Sequence, residues 1–241
     1  MRQLDVIILP QSADEMYFEN QLVVVVDVLR ASTTIVTALA NGAKEVIAKA
    51  RPDEVRQAAN GFQRESCLLC GEREGKALPG FDLGNSPAEY SPERVKNKTL
   101  LYTSTNGSQM MVKARRAAQV WIGSFVNITA VLNGILMRDE NVCIACSGRE
   151  GQFSLEDTVC AGMMVDLLNQ QDANRFEATD SAYASQILYQ HDAGNLLEML
   201  QRSKHGRYLI SLGMENDLLL AAETNRHGVL PYLKNEKFII Q

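Results

Sequence analysis

An α/β fold with a mainly parallel central sheet is what this sequence predicts, and three observations carry the prediction. Strand-like apolar runs alternate with polar loops and helical patterns along most of the chain, the signature of strands joined by crossover helices. The run Gln21–Val28 holds five consecutive apolar residues, Leu22 to Val26, as in a strand buried on both faces of a parallel sheet. The 241 residues are 46% hydrophobic and 22% charged, ordinary for a globular chain and sufficient for a sizeable core.

Leu4–Leu9 reads as a first strand ended by Pro10, and Gln21–Val28 as the second. Thr33–Ala40 follows helical spacing and stops at Asn41–Gly42, a helix C-terminal signal. Ala43–Ala48 is a short strand, Pro52–Phe62 a helix opened by Pro52 and Asp53, and Ser66–Cys70 another strand. Three strand–loop–helix units follow. Thr99–Tyr102 leads through TSTNGS to Gln109–Ala118, Val120–Ile122 through GSFVN to Thr129–Met137, and Asn141–Ala145 through CSGREG to Leu155–Asn169. Ser181–Gln201 has a helical pattern, Tyr208–Ile210 reads as a short strand, Glu215–Ala222 as a helix and Phe238–Ile240 as a closing strand. The stretch Gly71–Pro92 is rich in glycine and proline and has no period. Loops of that length are usually functional or disordered, and its Arg73, Asp82, Asn85 and Ser86 favour function. A single domain over residues 1–241 is expected, with two closely packed α/β halves as the variant.

The charge pattern excludes some partners. The net charge is -5, and no run of lysine and arginine exceeds two residues, so the footprint of a nucleic-acid binder is absent. The apolar run near the N-terminus is too short for a signal peptide or a membrane span, and a cytoplasmic protein without membrane contact is expected. Five cysteines do not suggest a disulfide framework. Cys67–Cys70 and Cys143–Cys146 are CxxC pairs in strand-like runs. Residues three apart on a strand point to opposite faces, so reduced core thiols are expected rather than zinc.

Three loops share one design: DVLRASTT (27–34), TSTNGS (103–108) and CSGREG (146–151). Each follows a predicted strand, precedes a predicted helix and is built of small hydroxyl, amide or glycine residues. Ligands of open parallel sheets bind beyond the carboxyl ends of the strands, where helix N-termini present free N–H groups. Simple N-capping explains any one such loop. Three together, with Arg30 and Arg149 among them, point to an anion site.

The carboxylates sharpen this. Asp27 ends a buried strand, which is costly unless it is paired or binds a metal. Arg30 is the candidate partner; a magnesium ligand or a nucleophile is the functional alternative. Glu156 and Asp157 open a predicted helix at the same sheet edge. Magnesium favours one or two carboxylates with phosphate oxygens and water, a need that Asp27 with either of them meets. Other chemistries fall away. The chain has no GxxxxGK[ST], GxGxxG or GxSxG. Its histidines, His191, His205 and His227, lie outside the three loops, so no histidine nucleophile or triad is expected. Cys143–Arg149 matches the CxxxxxR spacing of cysteine phosphatases, but Cys143 sits mid-strand, where no amide cradle forms.

Five motifs in order, VVDVLRASTTI, CGEREG, GFDLGNSP, STNGS and CSGREGQFSLEDTVCAG, closely resemble the 2-phosphosulfolactate phosphatase family (ComB-like proteins). The resemblance implies a three-layer α/β fold, a homodimer, and a magnesium-dependent hydrolase of the phosphate ester of a small anionic 2-phospho acid, typified by 2-phospho-3-sulfolactate. Residue by residue, it places Asp27, Arg30, Ser32, Thr33 and Thr34 in the first motif and Glu72 and Arg73 in the second. Asp82, Asn85 and Ser86 take the third, Thr105, Asn106 and Gly107 the fourth, and Ser147, Gly148, Glu156 and Asp157 the last. The resemblance does not assign the carboxylates: among Asp27, Glu156 and Asp157 as expected metal ligands, Asp27 leads, with nucleophile as its alternative, and Asp157 or Glu156 completes the metal site or acts as general base. Asp27, Arg30 and Asp157 are the expected catalytic residues, and the rest of these, Asp82 and Glu72 apart, bind substrate. A non-catalytic binder of phosphorylated or carboxylated metabolites is the alternative. It would gain nothing from the acidic residues unless each were paired.

Overall fold

The computed structural model describes residues 1–172 and 174–240. Eleven strands form one mixed sheet: β1 (Arg2–Ile7), β2 (Leu22–Val26), β3 (Glu45–Ala48), β4 (Cys67–Arg73), β5 (Lys76–Ala77), β6 (Thr99–Thr103), β7 (Gln119–Gly123), β8 (Val142–Cys146), β9 (Phe176–Ala178), β10 (Tyr232–Lys234) and β11 (Lys237–Ile239). The helices are α1 (Ala31–Ala40), α2 (Pro52–Ala59), α3 (Pro92–Val95), α4 (Gly107–Lys113), α5 (Ile128–Leu136), α6 (Leu155–Gln171), α7 (Asp180–Asp192), α8 (Leu196–Arg202), α9 (Lys204–Ser211) and α10 (Glu215–Ala222). The strand order is β5-β4-β6-β3-β11-β10-β7-β2-β8-β1-β9. Two parallel blocks, β4-β6-β3 and β7-β2-β8-β1-β9, are joined by the antiparallel hairpin β10-β11.

The valine run of β2 works as its pattern suggests. Leu22, Val24 and Val26 pack into a core with α5 and α6, while Val23 and Val25 pack with α1 and α4 on the opposite face. Helices thus cover both faces, giving the three layers. The CxxC pairs split the same way: Cys143 and Cys146 fall in opposite cores, as do Cys67 and Cys70, and all five thiols are free and buried.

The C-terminal third differs most from expectation. Ser181–Gln201 is two helices, α7 and α8, broken at Gly194, where Asn195 caps α8 by accepting from the Glu198 amide. Tyr208–Ile210 is helical, not a strand. Ser203 caps α9 by accepting from the Gly206 amide at 2.9 Å, and this local signal outweighs the short apolar run. The strands β9 and β10 are three residues each, too short to show a period.

Helices α6 and α7 touch at backbone distance. A Cβ built on Gly162 would lie 1.9 Å from the Ser185 carbonyl oxygen. Gly162→Ala must push the two helices apart, and overpacking of this kind costs about 1–3 kcal/mol. The expected result is a lower urea midpoint with an unchanged m-value; an unchanged midpoint would mean that the helices yield freely.

Candidate active site

The loops after β2, β4, β6 and β8 meet the N-terminal part of α9 around a cleft of about 640 Å3. It is lined by Asp27, Leu29, Arg30, Glu72, Arg73, Glu74, Gly75, Asn85, Ser104, Thr105, Asn106, Arg149, Glu150, His205 and Tyr208. The carboxyl ends of both parallel blocks therefore converge on one place.

Asp27 is seated by the turn into α1. Its Oδ1 accepts from the Ala31 amide at 3.0 Å, its own amide donates to Ser32 Oγ at 2.9 Å, and the Ser32 amide returns to its carbonyl at 2.8 Å. No hydrogen bond from a described residue reaches Oδ2. That oxygen faces Gly107 instead, where a Cβ would lie 2.6 Å from it. Arg30 does not pair with Asp27. Its guanidinium bonds Asp217 Oδ2 at 2.7 Å and the Gly75 carbonyl at 2.7 Å, both partners of the ion pair being buried. This corrects the pairing expected from the sequence: Asp217, on α10, takes the arginine, and among the described residues Asp27 has no ion-pair partner.

The hydroxyl cluster after Asp27 turns inward. Ser32 Oγ reaches the Val25 carbonyl at 3.2 Å, Thr33 Oγ1 the Val28 carbonyl at 2.8 Å, and Thr34 Oγ1 the Asn85 carbonyl at 2.9 Å. All three side chains are buried and none lines the cleft, so they shape the loop instead of offering hydroxyls to a ligand. Asn85 does line the cleft. Its carboxamide oxygen accepts from Tyr102, which leaves the NH2 as the group offered to the cleft. Ser86 is turned to Asp217 at 2.5 Å, and Asp82 binds Arg64 and the Leu69 amide at the far end of its loop.

Glu72 ties two walls together, accepting from the Gly75 amide at 2.9 Å and the Thr105 amide at 2.8 Å. Arg73 lies beside it, held by the Glu72 carbonyl at 2.6 Å. In the loop after β6, Ser104 and Ser108 each accept the other's amide at 3.0 Å, and Asn106 Oδ1 accepts from the Glu150 amide at 2.8 Å. Among the described residues the buried hydroxyls of Thr105 and Ser147 have no partner, and of the two only Thr105 lines the cleft. Gly148 lies at φ +63°, and a Cβ there would meet the Gln152 carbonyl at 2.3 Å, so that sharp turn needs glycine.

Behind Asp27 stand Asp157 and Glu156, in the first turn of α6. Asp157 accepts from the Val28 amide at 2.8 Å and the Gly148 amide at 3.1 Å, joining the first and third loops. Burial first, then the charges of Asp27 and Glu156, hold its carboxyl well above the usual range. Burial also pushes Asp27 up, to about 6, with Glu72 and Glu156 adding to it against the Ala31 amide and His205. Glu156 behaves differently. Burial acts to raise it, but His205, whose Nδ1 lies 3.5 Å from its Oε1, and nearby donors bring it below the ordinary value.

His205, Asp217 and Tyr208 were invisible to motif reading, because they come from the C-terminal helices. One signal was available. Lys204 and His205 both fall in the first turn of α9, where cations meet the positive end of the helix dipole. Such a placement asks for a partner, and for His205 that partner is Glu156. Tyr208 stacks under the Arg149 guanidinium, 4.7 Å from ring centroid to Cζ.

Among the described residues, no group of three or more His, Cys, Asp or Glu side chains forms a metal cage on its own. Magnesium does not require one, since it keeps waters and takes one or two carboxylates with substrate oxygens. The oxygen-only donor set and the free Asp27 Oδ2 fit such an ion. Neither Glu156 nor Asp157 lines the cleft: the Glu156 carboxylate meets His205, and the two Asp157 oxygens accept from the Val28 and Gly148 amides.

A family model described as 2-phosphosulpholactate phosphatase matches residues 7–236. Three relatives carry the name probable 2-phosphosulfolactate phosphatase. The protein of Caldanaerobacter subterraneus subsp. tengcongensis is 38% identical over 93% of this chain and 92% of its own length. That of Thermotoga maritima is 37% identical over 99% and 98%, and that of a Synechococcus species 42% identical over 86% of each.

Proposed function

The chain belongs to the 2-phosphosulpholactate phosphatase family, and from that premise we propose that its cleft hydrolyses the phosphate ester of 2-phospho-3-sulfolactate or a related 2-phospho acid with the help of magnesium. The charge balance of the cleft carries the reading. Asp27, Glu72, Glu74 and Glu150 face Arg30, Arg73, Arg149 and His205, and Arg30 and His205 each already have a carboxylate, Asp217 and Glu156. A phosphate dianion does not enter such a site unaided. A divalent cation at Asp27, with Asp157 as the carboxylate behind it, reverses the local charge and would polarise the phosphoryl group. A non-catalytic anion binder has no use for an unpaired Asp27, whereas Asp82 and Asp217 do have arginine partners.

The protein's own groups divide the remaining work. Asp27, at the end of β2, would hold the cation against which the phosphoryl group binds, and Asp157 fixes the two loops around it. The Thr105 hydroxyl and the Asn85 NH2 are uncharged donors that line the cleft. Arg73 and Arg149 are the cations left for phosphate and for the second acid group. Attack by an in-line water then needs only positioning and charge stabilisation. A homodimer belongs to the same reading and rests on the family resemblance, and a cytoplasmic location rests on the shortness of the N-terminal apolar run; no helix among the described residues is long and apolar enough to cross a membrane.

The test is phosphate release from 2-phospho acids and from simple alkyl phosphates. Higher kcat/KM for the 2-phospho acids is expected, since their second acid group meets an arginine. Equal rates would remove the 2-phospho acid assignment, and no turnover of any ester would remove the phosphatase. A stability measurement checks the metal seat separately. Between its ordinary value of 3.8 and about 6, folded Asp27 keeps a proton that the unfolded chain releases. Metal-free protein therefore loses stability through Asp27 as pH rises across that window, and the loss is complete above about 6. Compared with Asp27→Asn, the wild type should become relatively less stable over this range. Added magnesium should raise its Tm more at pH 7.5 than at pH 5. Equal magnesium shifts at both pH values would dissociate the ion from Asp27.

A further inference from the structure

We infer that His205, held by Glu156, is the proton donor to the oxygen that leaves phosphorus. The inference rests on the phosphatase reading and adds a residue that no motif supplies. Three placements carry it. His205 lines the cleft that Asp27 lines, its side chain only 16% exposed. Its Nδ1 is turned to the buried Glu156 carboxylate at 3.5 Å, which leaves Nε2 as the ring nitrogen for the cleft. The backbone that carries it is fixed. The Ser203 cap opens α9, and a Cβ on Gly206 would lie 1.7 Å from the Leu200 carbonyl oxygen, so α8 and α9 meet at backbone contact. An imidazole with a buried carboxylate on one nitrogen and a reaction cleft on the other is oriented for proton transfer.

The chemistry gives the group a task. A cation held by Asp27 and the cleft arginines would stabilise charge on the phosphoryl group, but the leaving oxygen of a 2-hydroxy acid is an alkoxide and needs a proton. The oxygen of the attacking water forms the new P–O bond. The bond from phosphorus to the ester oxygen breaks, and its electron pair stays on that oxygen. His205 Nε2–H passes its proton to it, giving the 2-hydroxy acid. The attacking water releases one proton to solvent and solvent returns one to His205, so no other reactant is required. Glu156 touches no substrate in this scheme; it is a positioning residue that orients the ring.

Leaving-group dependence tests this. Rates are compared for 2-phospholactate and its 3,3,3-trifluoro analogue, whose more acidic hydroxyl leaves with less need of a proton. His205→Gln should lower kcat on 2-phospholactate about 100- to 1,000-fold, the scale of general acid catalysis, and on the trifluoro analogue at least about tenfold less than that. Glu156→Gln should show the same substrate pattern at smaller size with KM little changed, which a merely structural role would not produce. Circular dichroism and Tm confirm that both variants fold. A loss of the same size on both substrates, or no loss on either, overturns the proton donor while leaving the phosphatase intact. Absence of turnover by the wild type overturns the phosphatase reading itself, and the proton donor with it.

Discussion

Asp27→Asn should reduce turnover by about a thousandfold or more, the scale of removing a principal electrostatic stabiliser, while the fold stays intact or gains stability. The two effects separate because Asp27 has two jobs on two oxygens. Oδ1 caps α1 through the Ala31 amide, and asparagine keeps an oxygen there. Oδ2 has no hydrogen-bond partner among the described residues and faces Gly107 at the cleft, where asparagine offers no charge to a cation. Asp27 also sits among Glu72, Glu156 and Asp157, whose charges raise one another's cost. Removing one negative charge relieves that repulsion, so Tm should not fall. Steady-state kinetics with a thermal melt checks both halves. Wild-type rates would remove Asp27 from the mechanism, and a large drop in Tm would assign it to the fold.

Gly107→Ala should be almost as damaging from the other side of the same oxygen. The added Cβ would lie 2.6 Å from Asp27 Oδ2 and 2.6 Å from Ala31 Cβ, so the carboxylate or the helix must move. A displacement near 1 Å at a reacting centre costs about 100-fold in rate. The accompanying overpacking costs about 1–3 kcal/mol, or a few degrees of Tm in a chain of this size. The expected signature is therefore a rate defect far larger than the stability defect. Normal kcat/KM in Gly107→Ala would show that the Asp27 carboxylate tolerates displacement, which a metal seat does not.

The sequence pattern exposed the sheet strands and their loops because two strong local signals coincide there. Consecutive valines mark a strand buried on both faces, and small polar residues after it mark a turn into a helix. Both features appear in place, from Leu22 to Ala31. The same reading misjudged what the hydroxyls do. Serine and threonine after a strand can face a ligand or bond their own backbone, and composition does not separate the two. Ser32, Thr33 and Thr34 bond backbone carbonyls. Thr105 and Ser147 are the buried hydroxyls left without a partner. Partners contributed by distant helices were out of reach for another reason. Asp217 meets Arg30 across 187 positions, and no spacing rule links them. His205 lies 49 residues after Glu156 by their numbers, on a helix whose own pattern resembled a short strand. Among the carboxylates, Asp27 stood out because a charge at the end of a buried strand needs a reason, and Glu156 and Asp157 because their helix opens at the same sheet edge. The reasons differ: Asp157 binds the amides of two loops, and Asp27 has an oxygen to spare.

Phosphate release from 2-phospho-3-sulfolactate, followed first with saturating magnesium and then with excess chelator, tests the central claim most directly. The arrangement around Asp27 predicts turnover with magnesium, its loss on chelation, and its return when magnesium is restored. Full activity in the chelator, or no phosphate released in any of the three conditions, would contradict it.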